Sequence, residues 1–257
     1  MINFLKSFFK YKSQRLLSAG KTDQGLVRTQ NEDAYYIMND QRIFLVADGM
    51  GGHKAGEVAS KIAIETLVDF FTKIPAKQLT KSVEFIQHTL ITGLRQANET
   101  VIKMATSDPN LRGMGCTLVA CLIGDRVFHT CHVGDTRCYL AQDGKFIQIT
   151  HDHTAIAAIK QDDTLDSTKE KIMINRNVVT KAIGHIFKED PEYNCHPIRQ
   201  GDRILLCSDG LWSMLDDSEL YTIITTAPTP TAATTQLIER ANAEGGRDNI
   251  TAVVIFN

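Results

Sequence analysis

The chain has 257 residues, of which 43% are hydrophobic and 23% are charged, and its formal net charge at pH 7 is −2. This balance argues against non-specific binding of nucleic acid, so we expect no nucleic-acid partner. The apolar content is sufficient for a sizeable core, in one large domain or two small ones. No apolar run approaches the roughly 20 residues that a membrane-spanning helix requires.

The six cysteines, at positions 116, 121, 131, 138, 195 and 207, show no C-x-x-C spacing. Most of them fall within predicted strands. This pattern favours buried thiols in a reducing compartment over a disulfide framework or a zinc site. We therefore expect a cytoplasmic protein.

The first twelve residues combine apolar side chains with lysines: Phe4, Leu5, Phe8 and Phe9 share one helical face. Such a segment can be a short amphipathic membrane anchor or an arm that packs on its own domain or stays loose, and its short length favours the arm. The interspersed lysines argue against a signal peptide. We treat residues 1–16 as this arm and 17–257 as the folded domain.

Strands and helices follow in separate groups along the rest of the chain. Predicted strands occupy residues 17–20, 34–38, 43–47, 116–123, 126–133, 137–141, 146–149, 192–198, 203–208 and 251–256. Predicted helices occupy residues 55–71, 82–106, 218–225 and 231–243, and 154–174 is typical of a polar surface flap. Consecutive strands with paired helices between them favour antiparallel sheets covered by helices over alternating βαβ units. With no repeat or long linker, we predict a single α+β domain.

Two of the predicted strands end in the same dipeptide, Asp48-Gly49 and Asp209-Gly210. One Asp-Gly pair is equally consistent with a simple turn. Recurrence of the pattern, however, indicates carboxylates that converge.

Further carboxylates belong to the same pattern: Asp135 and Asp248 lie at two more strand ends, and Glu32 and Asp33 in a polar loop. Gathered without a cation, these groups would repel one another, which would raise their pKa values and destabilise the fold. A divalent ion relieves the repulsion, and all-oxygen donors select magnesium or manganese rather than zinc or copper.

Six short motifs occur in order between about Ala19 and Ile255. They are Arg28-x-x-Asn31-Glu32-Asp33, Val46-Ala47-Asp48-Gly49-Met50-Gly51-Gly52-His53, Gly115-Cys116-Thr117, Val133-Gly134-Asp135-Thr136-Arg137, Ser208-Asp209-Gly210 and Asp248-Asn249. In order and spacing this set resembles the type 2C metal-dependent serine/threonine protein phosphatases, and residues 48–53, 150–154 and 177–184 resemble the bacterial branch. The resemblance implies a central sandwich of two antiparallel β-sheets flanked by α-helix pairs on both sides.

The resemblance also implies roles for individual residues. Asp48 would bridge two manganese or magnesium ions; Asp209 and Asp248 would hold one, and Glu32 and the Gly49 carbonyl the other. Asp33 would orient the metal-bound water, Asp135 would help Asp209 to hold a third, weaker ion, and Arg28 would bind the substrate phosphate. The implied reaction is direct attack of a metal-bridging water or hydroxide on a phosphoserine or phosphothreonine monoester.

Some positions depart from the family pattern. Met50 stands where some members have a histidine that is a proposed general acid. His53 is one substitute and metal-bound water another, so the proton donor stays open. Cys116 replaces the usual threonine, which we interpret as core packing. We expect solvated or core roles for four other histidines, since oxygen ligands suffice: His129, His132, His151 and His153.

Two alternatives to a protein phosphatase stay open at this point. A module that has lost catalysis and binds a phosphoprotein or regulatory partner would lack ligands, and none is missing from the set above. A phosphatase for small phosphate esters would share the same metal site. Our primary expectation is a monomer that acts on substrates of a serine/threonine kinase.

Overall fold

The computed structural model describes residues 16–51, 55–80, 82–155, 157 and 178–257. His53 lies outside the described residues, as do most of the predicted N-terminal arm and most of the predicted flap. The described residues form two five-stranded antiparallel sheets with helices on their outer faces. The predicted fold class is therefore confirmed.

The first sheet has the strand order β2-β3-β4-β5-β8. Its strands are β2 (Asp33–Met38), β3 (Ile43–Met50), β4 (Gly115–Ile123), β5 (Val127–Val133) and β8 (Glu192–Pro197). Two long helices cover its outer face, α1 (Ala55–Thr72) and α2 (Val83–Ser107). Short 3₁₀ turns at Ala76–Thr80 and Pro109–Leu111 adjoin them.

The second sheet has the strand order β1-β10-β9-β6-β7. Its strands are β1 (Leu17–Asp23), β6 (Arg137–Gln142), β7 (Lys145–Gln148), β9 (Arg203–Cys207) and β10 (Ile250–Phe256). Three helices lie on its outer face: α3 (Asp209–Trp212), α4 (Asp217–Thr226) and α5 (Pro230–Ala243). A capping box formed by Asp216 and Glu219 starts α4, and Pro230 occupies the first turn of α5.

The core has one layer between the sheets and one beneath each helical group. The position of strand β3 between two of these layers explains the uninterrupted apolar run at residues 43–47. Phe44 and Val46 face the other sheet, whereas Ile43, Leu45 and Ala47 face the helices. A strand that is buried on both faces needs apolar residues at consecutive positions, so it lacks the alternation of a half-exposed strand.

Strand β3 is three residues longer than the sequence predicts, because its pairing with β4 continues beyond Ala47. The ladder between β3 and β4 continues to the pair Met50–Gly115, so Asp48 and Gly49 belong to the strand. Asp48 also lies opposite Asp33 in the register of β2 and β3. The β-ladder thus places two carboxylates side by side at the end of the first sheet.

Candidate metal centre

Asp33 and Asp48 form the centre of the acidic cluster. Asp33 is buried, with 9% of its surface exposed, and its Oδ2 accepts a 2.7 Å hydrogen bond from Ser208 Oγ. Burial raises the pKa of Asp33, and the neighbouring Asp209 and Asp248 raise it further. Burial also raises the pKa of Asp48 well above its ordinary value, and Asp33 and Asp209 add to this effect. The two carboxylates therefore resist ionisation together unless a cation is present.

Asp209 and Asp248 reach the same cluster from the second sheet. Asp209 begins α3 immediately after Ser208 at the end of β9, and its negative charge raises the pKa of Asp48. Burial raises the pKa of Asp209, and nearby Asp248 contributes in the same direction.

Asp135 lies on the turn between β5 and β6 and is only 4% exposed. Burial raises its pKa to about 7, and the charges of Asp209 and Asp152 act in the same direction. Its backbone carbonyl accepts a 3.1 Å hydrogen bond from Trp212 Nε1. The effect of Asp209 on this pKa shows that Asp135 and Asp209 are close enough to interact electrostatically.

Glu32 and Gly49 lie where β2, β3 and α1 meet. Gly49 N–H donates a 3.1 Å hydrogen bond to Glu32 O, and Ser60 Oγ donates a 2.6 Å bond to the same carbonyl. A Cβ atom at position 49 would lie 2.2 Å from Gly56 O and 2.5 Å from Glu32 O, so only glycine fits. Burial raises the pKa of the Glu32 carboxyl group.

The Arg28 side chain brings a positive charge to the edge of the acidic cluster. Its Nη2 donates a 2.7 Å hydrogen bond to Asp248 Oδ2, and this bond raises the pKa of Arg28. The Arg28 side chain is 52% exposed. Its guanidinium group can therefore meet an incoming anion at the entrance to the cluster.

Asn249 and Ser208 support the cluster, although the sequence did not assign them a role. Asn249 Nδ2 donates to the carbonyls of Gln24 and Gln30 at 2.9 and 2.8 Å, and its Oδ1 accepts from Glu32 N–H at 2.9 Å. Ser208 Oγ accepts a 2.9 Å bond from Thr251 N–H while donating to Asp33. Each of the two residues is next to a predicted metal ligand in the sequence, and this adjacency is the only sequence feature that points to their supporting role.

The chemistry of these side chains fits hard divalent cations. Carboxylate and carbonyl oxygens are the donors that magnesium and manganese prefer. Among the described residues, Asp33 Oδ1 is a buried atom without a hydrogen-bond partner. A buried acceptor of this kind is costly unless water or a cation completes it. The residues present therefore fit the ions that the sequence implies.

A second polar cluster consists of His132, His153 and Glu192, whose possible ligand atoms lie within 4.8 Å of one another. Hydrogen bonds and ion pairs occupy these atoms except His132 Nδ1, which is buried without a hydrogen-bond partner in the described part of the chain. His153 Nδ1 accepts from Gly134 N–H at 3.0 Å, and His132 Nε2 donates to His151 O at 2.9 Å. The two imidazole rings are parallel, so their in-plane lone pairs do not converge on one point. This geometry suits a polar network better than a metal site.

The other positions singled out in the sequence have simpler environments. His129 is buried and its Nδ1 lies 2.7 Å from Tyr193 Oη, whereas His151 is exposed and contacts Glu192. Cys116 is buried in the core beneath the helices, as expected, and all six cysteines are free thiols. Core and solvated positions thus account for these histidines, in agreement with the sequence.

Comparison with known proteins links this geometry to a family. Residues 27–252 match the family model described as protein phosphatase 2C. The serine/threonine phosphatase Stp of Listeria innocua is 34% identical over 91% of this chain and 93% of its own length. The serine/threonine protein phosphatase PstP of Mycobacterium tuberculosis is 35% identical over 92% of this chain and 44% of its own length. A crystal structure of the PstP catalytic domain in complex with two manganese ions superposes with a TM-score of 0.80, at 34% identity, covering 94% of this chain and 99% of that one.

Proposed function

The chain belongs to the protein phosphatase 2C family, and we propose that it is a metal-dependent phosphatase that hydrolyses phosphoserine and phosphothreonine monoesters on proteins. The observation that carries this proposal is the acidic cluster itself. Asp33, Asp48 and Asp209 come from both sheets, interact with one another, and leave a buried oxygen unpartnered. Such an arrangement is unfavourable in a structural core but is suitable for binding cations.

The cofactor is manganese or magnesium, with two core ions and a third, weaker one. We assign Asp48 to both core ions, Asp209 and Asp248 to one of them, and Glu32 and the Gly49 carbonyl to the other. Asp135 and Asp209 would share the weaker ion. When bound, the paired ions supply a water that is acidic enough to act as a nucleophile near neutral pH.

The remaining residues of the centre orient the reactants. Asp33 Oδ1, unpartnered in the described part of the chain, would accept a hydrogen bond from the attacking water and aim it at phosphorus. Arg28 would exchange its bond with Asp248 for two bonds to phosphoryl oxygens, because a planar guanidinium matches their spacing. It would thereby offset negative charge that builds up in the transition state.

The surface beside Arg28 favours polypeptide substrates over small esters. Leu26 and Val27, the two residues before Arg28, are 69% and 64% exposed. Large apolar side chains next to a phosphate-binding arginine can contact the residues that flank a phosphoserine or phosphothreonine. A small phosphate ester would make no use of them.

The cellular setting that we propose follows from the sequence and from the state of the thiols. The free, mostly buried cysteines favour a reducing compartment, so we place the protein in the cytoplasm. We further propose that it is a monomer whose substrates are phosphorylated by a serine/threonine kinase. Within the described residues, no helix is long and apolar enough to cross a membrane. Membrane contact through residues 1–12 is the less favoured alternative.

The proposal is tested by manganese-dependent phosphate release from a phosphothreonine peptide. Removal of a residue that only supports a metal ligand typically reduces activity by about 10–100-fold. Asp48→Asn and Asp209→Asn remove proposed ligands themselves, so each should reduce kcat/KM by more than that. Asp125→Asn is the matched control, because Asp125 is a surface carboxylate with 82% of its side chain exposed. Wild-type activity in both site variants would refute the assignment, and turnover of aryl phosphate but not peptide would favour the small-ester alternative.

A further inference from the structure

Trp212 connects the two residues that we assign to the weaker ion. It is the last residue of α3, the four-residue helix that Asp209 begins. Its Nε1 donates a 3.1 Å hydrogen bond to the backbone carbonyl of Asp135. One indole ring therefore joins the short helix that carries Asp209 to the turn that carries Asp135.

Arg137 holds this indole ring in place. Its Cζ lies 3.6 Å from the centroid of the Trp212 ring, the geometry of a close cation–π contact. The guanidinium is in turn fixed by two hydrogen bonds to Asp152, at 2.9 and 2.6 Å, and by one to Tyr139 Oη at 2.8 Å. The side chains of Arg137 and Asp152 are only 17% and 15% exposed, so the pair is well shielded from water.

Gln148 completes the support from β7. Its Nε2 donates to Asp152 Oδ1 at 3.0 Å and to Thr150 O at 2.8 Å. Each member of the chain from Gln148 through Asp152 and Arg137 to Trp212 thus has a defined partner. Every donor nitrogen of this shielded network has at least one hydrogen-bond partner, and such a network is rigid because each broken bond would leave a desolvated group unsatisfied.

We propose that Trp212, Arg137 and Asp152 form a clamp that fixes Asp135 relative to Asp209 and thereby sets the affinity of the weaker ion. The clamp residues are positioning residues: they hold the Asp135 backbone and α3 rather than ion or substrate. This proposal rests on the assignment of Asp135 and Asp209 to that ion under the proposed function. Outer partners that orient metal ligands typically change metal affinity by about 10–100-fold when they are removed.

Calorimetric titration of the protein with manganese tests the clamp through binding rather than activity. Trp212→Phe removes the indole N–H but leaves an aromatic face for Arg137. We expect the variant to keep the two tight ions and to bind the weaker one about 10–100-fold less well. A purely structural role for Trp212 would instead change thermal stability while leaving the titration of the weaker ion unchanged.

Phe256→Leu is the matched control. Arg203 stacks on Phe256 at 3.9 Å, at the other end of β9 and β10 from Asp209 and Asp248. This substitution removes a comparable Arg–aromatic contact from the same sheet, so all ions should bind as in the wild type. Equal weakening in Phe256→Leu and Trp212→Phe would overturn the clamp in favour of general loosening.

Two further variants keep the outcome decisive. Arg137→Lys retains the charge but loses the planar stack and the paired bonds to Asp152, so it should weaken the third ion in the same way. Asp135→Asn should weaken that ion directly. If Asp135→Asn binds it normally, the assignment of the ion is wrong and the clamp falls with it. If only Asp135→Asn weakens it, the assignment stands and the clamp is refuted.

Discussion

Asn249 shows how one side chain can organise a site without contacting a reactant. Through three hydrogen bonds it joins the backbone at Gln24, Gln30 and Glu32 to β10. The loop between these points carries Arg28. Asn249 thus helps to position both the arginine that we propose binds phosphate and the glutamate that we propose holds a metal ion.

Removal of this side chain should destabilise the protein and its site together. Asn249→Ala should lower the free energy of unfolding by about 2–3 kcal/mol, because it leaves backbone groups of a partly buried loop unpaired. The measurement is urea denaturation. Asn194→Ala is the control, since Asn194 donates one side-chain bond, to Glu192, and should cost about 1 kcal/mol or less. Equal losses in the two variants would contradict the organising role.

The sequence identifies the proposed ligands more readily than their supports. Asp48 and Asp209 stand out because two apolar strands end in the same Asp-Gly pair, and this recurrence predicts carboxylates that converge. Asn249 and Ser208 are ordinary polar residues beside turns, and the partners that connect them to the N-terminal part of the cluster lie 175 to 225 residues away in the chain. Trp212 gives no local sign of its contact with Asp135, because that contact depends on how helix α3 meets the turn between β5 and β6.

At the scale of elements, the close contact between β3 and α1 shapes the site. Gly49 and Gly56 let the strand and the first turn of the helix approach until Glu32 lies against both. A Cβ atom at Gly56 would lie 2.6 Å from Glu32 Oε2. Neither glycine can gain a side chain without moving the Glu32 region.

Gly49→Ala should therefore separate these elements. We expect a loss of about 3 kcal/mol or more in the free energy of unfolding, together with weaker manganese binding, since overpacking displaces backbone. Gly144→Ala is the control: no atom lies within 4 Å of its Cβ position, and its φ of +74° carries a left-handed backbone cost of about 1–2 kcal/mol. Unchanged metal affinity in Gly49→Ala would contradict the role given to this contact.

Most elements could be predicted from apolar periodicity alone, and their observed ends differ from the predicted ones by three residues at most. Strand β3 extends to Met50 because β4 continues to pair with it. Helix α3 was missed because four residues are too few to show a helical period. Its role is nevertheless large, since it carries both Asp209 and Trp212.

At the scale of the whole molecule, the acidic centre lies across the junction of the two sheets. Ser208, at the end of β9 in the second sheet, hydrogen-bonds to Asp33, at the start of β2 in the first. The fold therefore brings together charges that repel. Without ions, the cost of their burial should appear as a dependence of stability on pH.

Asp135 gives this dependence a sign. In the metal-free folded protein its pKa is about 7, whereas in the unfolded chain it loses its proton near pH 4. The folded state then binds more protons between these values, so the contribution of Asp135 to stability falls as the pH rises from about 4 to about 7. Above pH 7 the penalty is fully present.

Comparison with Asp135→Asn isolates this contribution, because the other titrating groups are common to both proteins. Metal-free wild type should lose about 2 kcal/mol of stability relative to the variant between pH 5.5 and pH 8, since about 1.5 units of the pKa shift lie in this window and one unit corresponds to about 1.4 kcal/mol. Thermal and urea unfolding at a series of pH values measure the difference. Parallel pH profiles for the two proteins would show that the pKa of Asp135 is not raised in the folded state.

Anomalous diffraction from manganese-soaked crystals tests the central claim most directly, because it locates the ions and their ligands at once. We expect two strong peaks that share Asp48, with Asp209 and Asp248 at one and Glu32 and Gly49 at the other, and a weaker peak beside Asp135. Absence of a peak beside Asp48, or a strongest peak at His132, His153 and Glu192, would contradict the account.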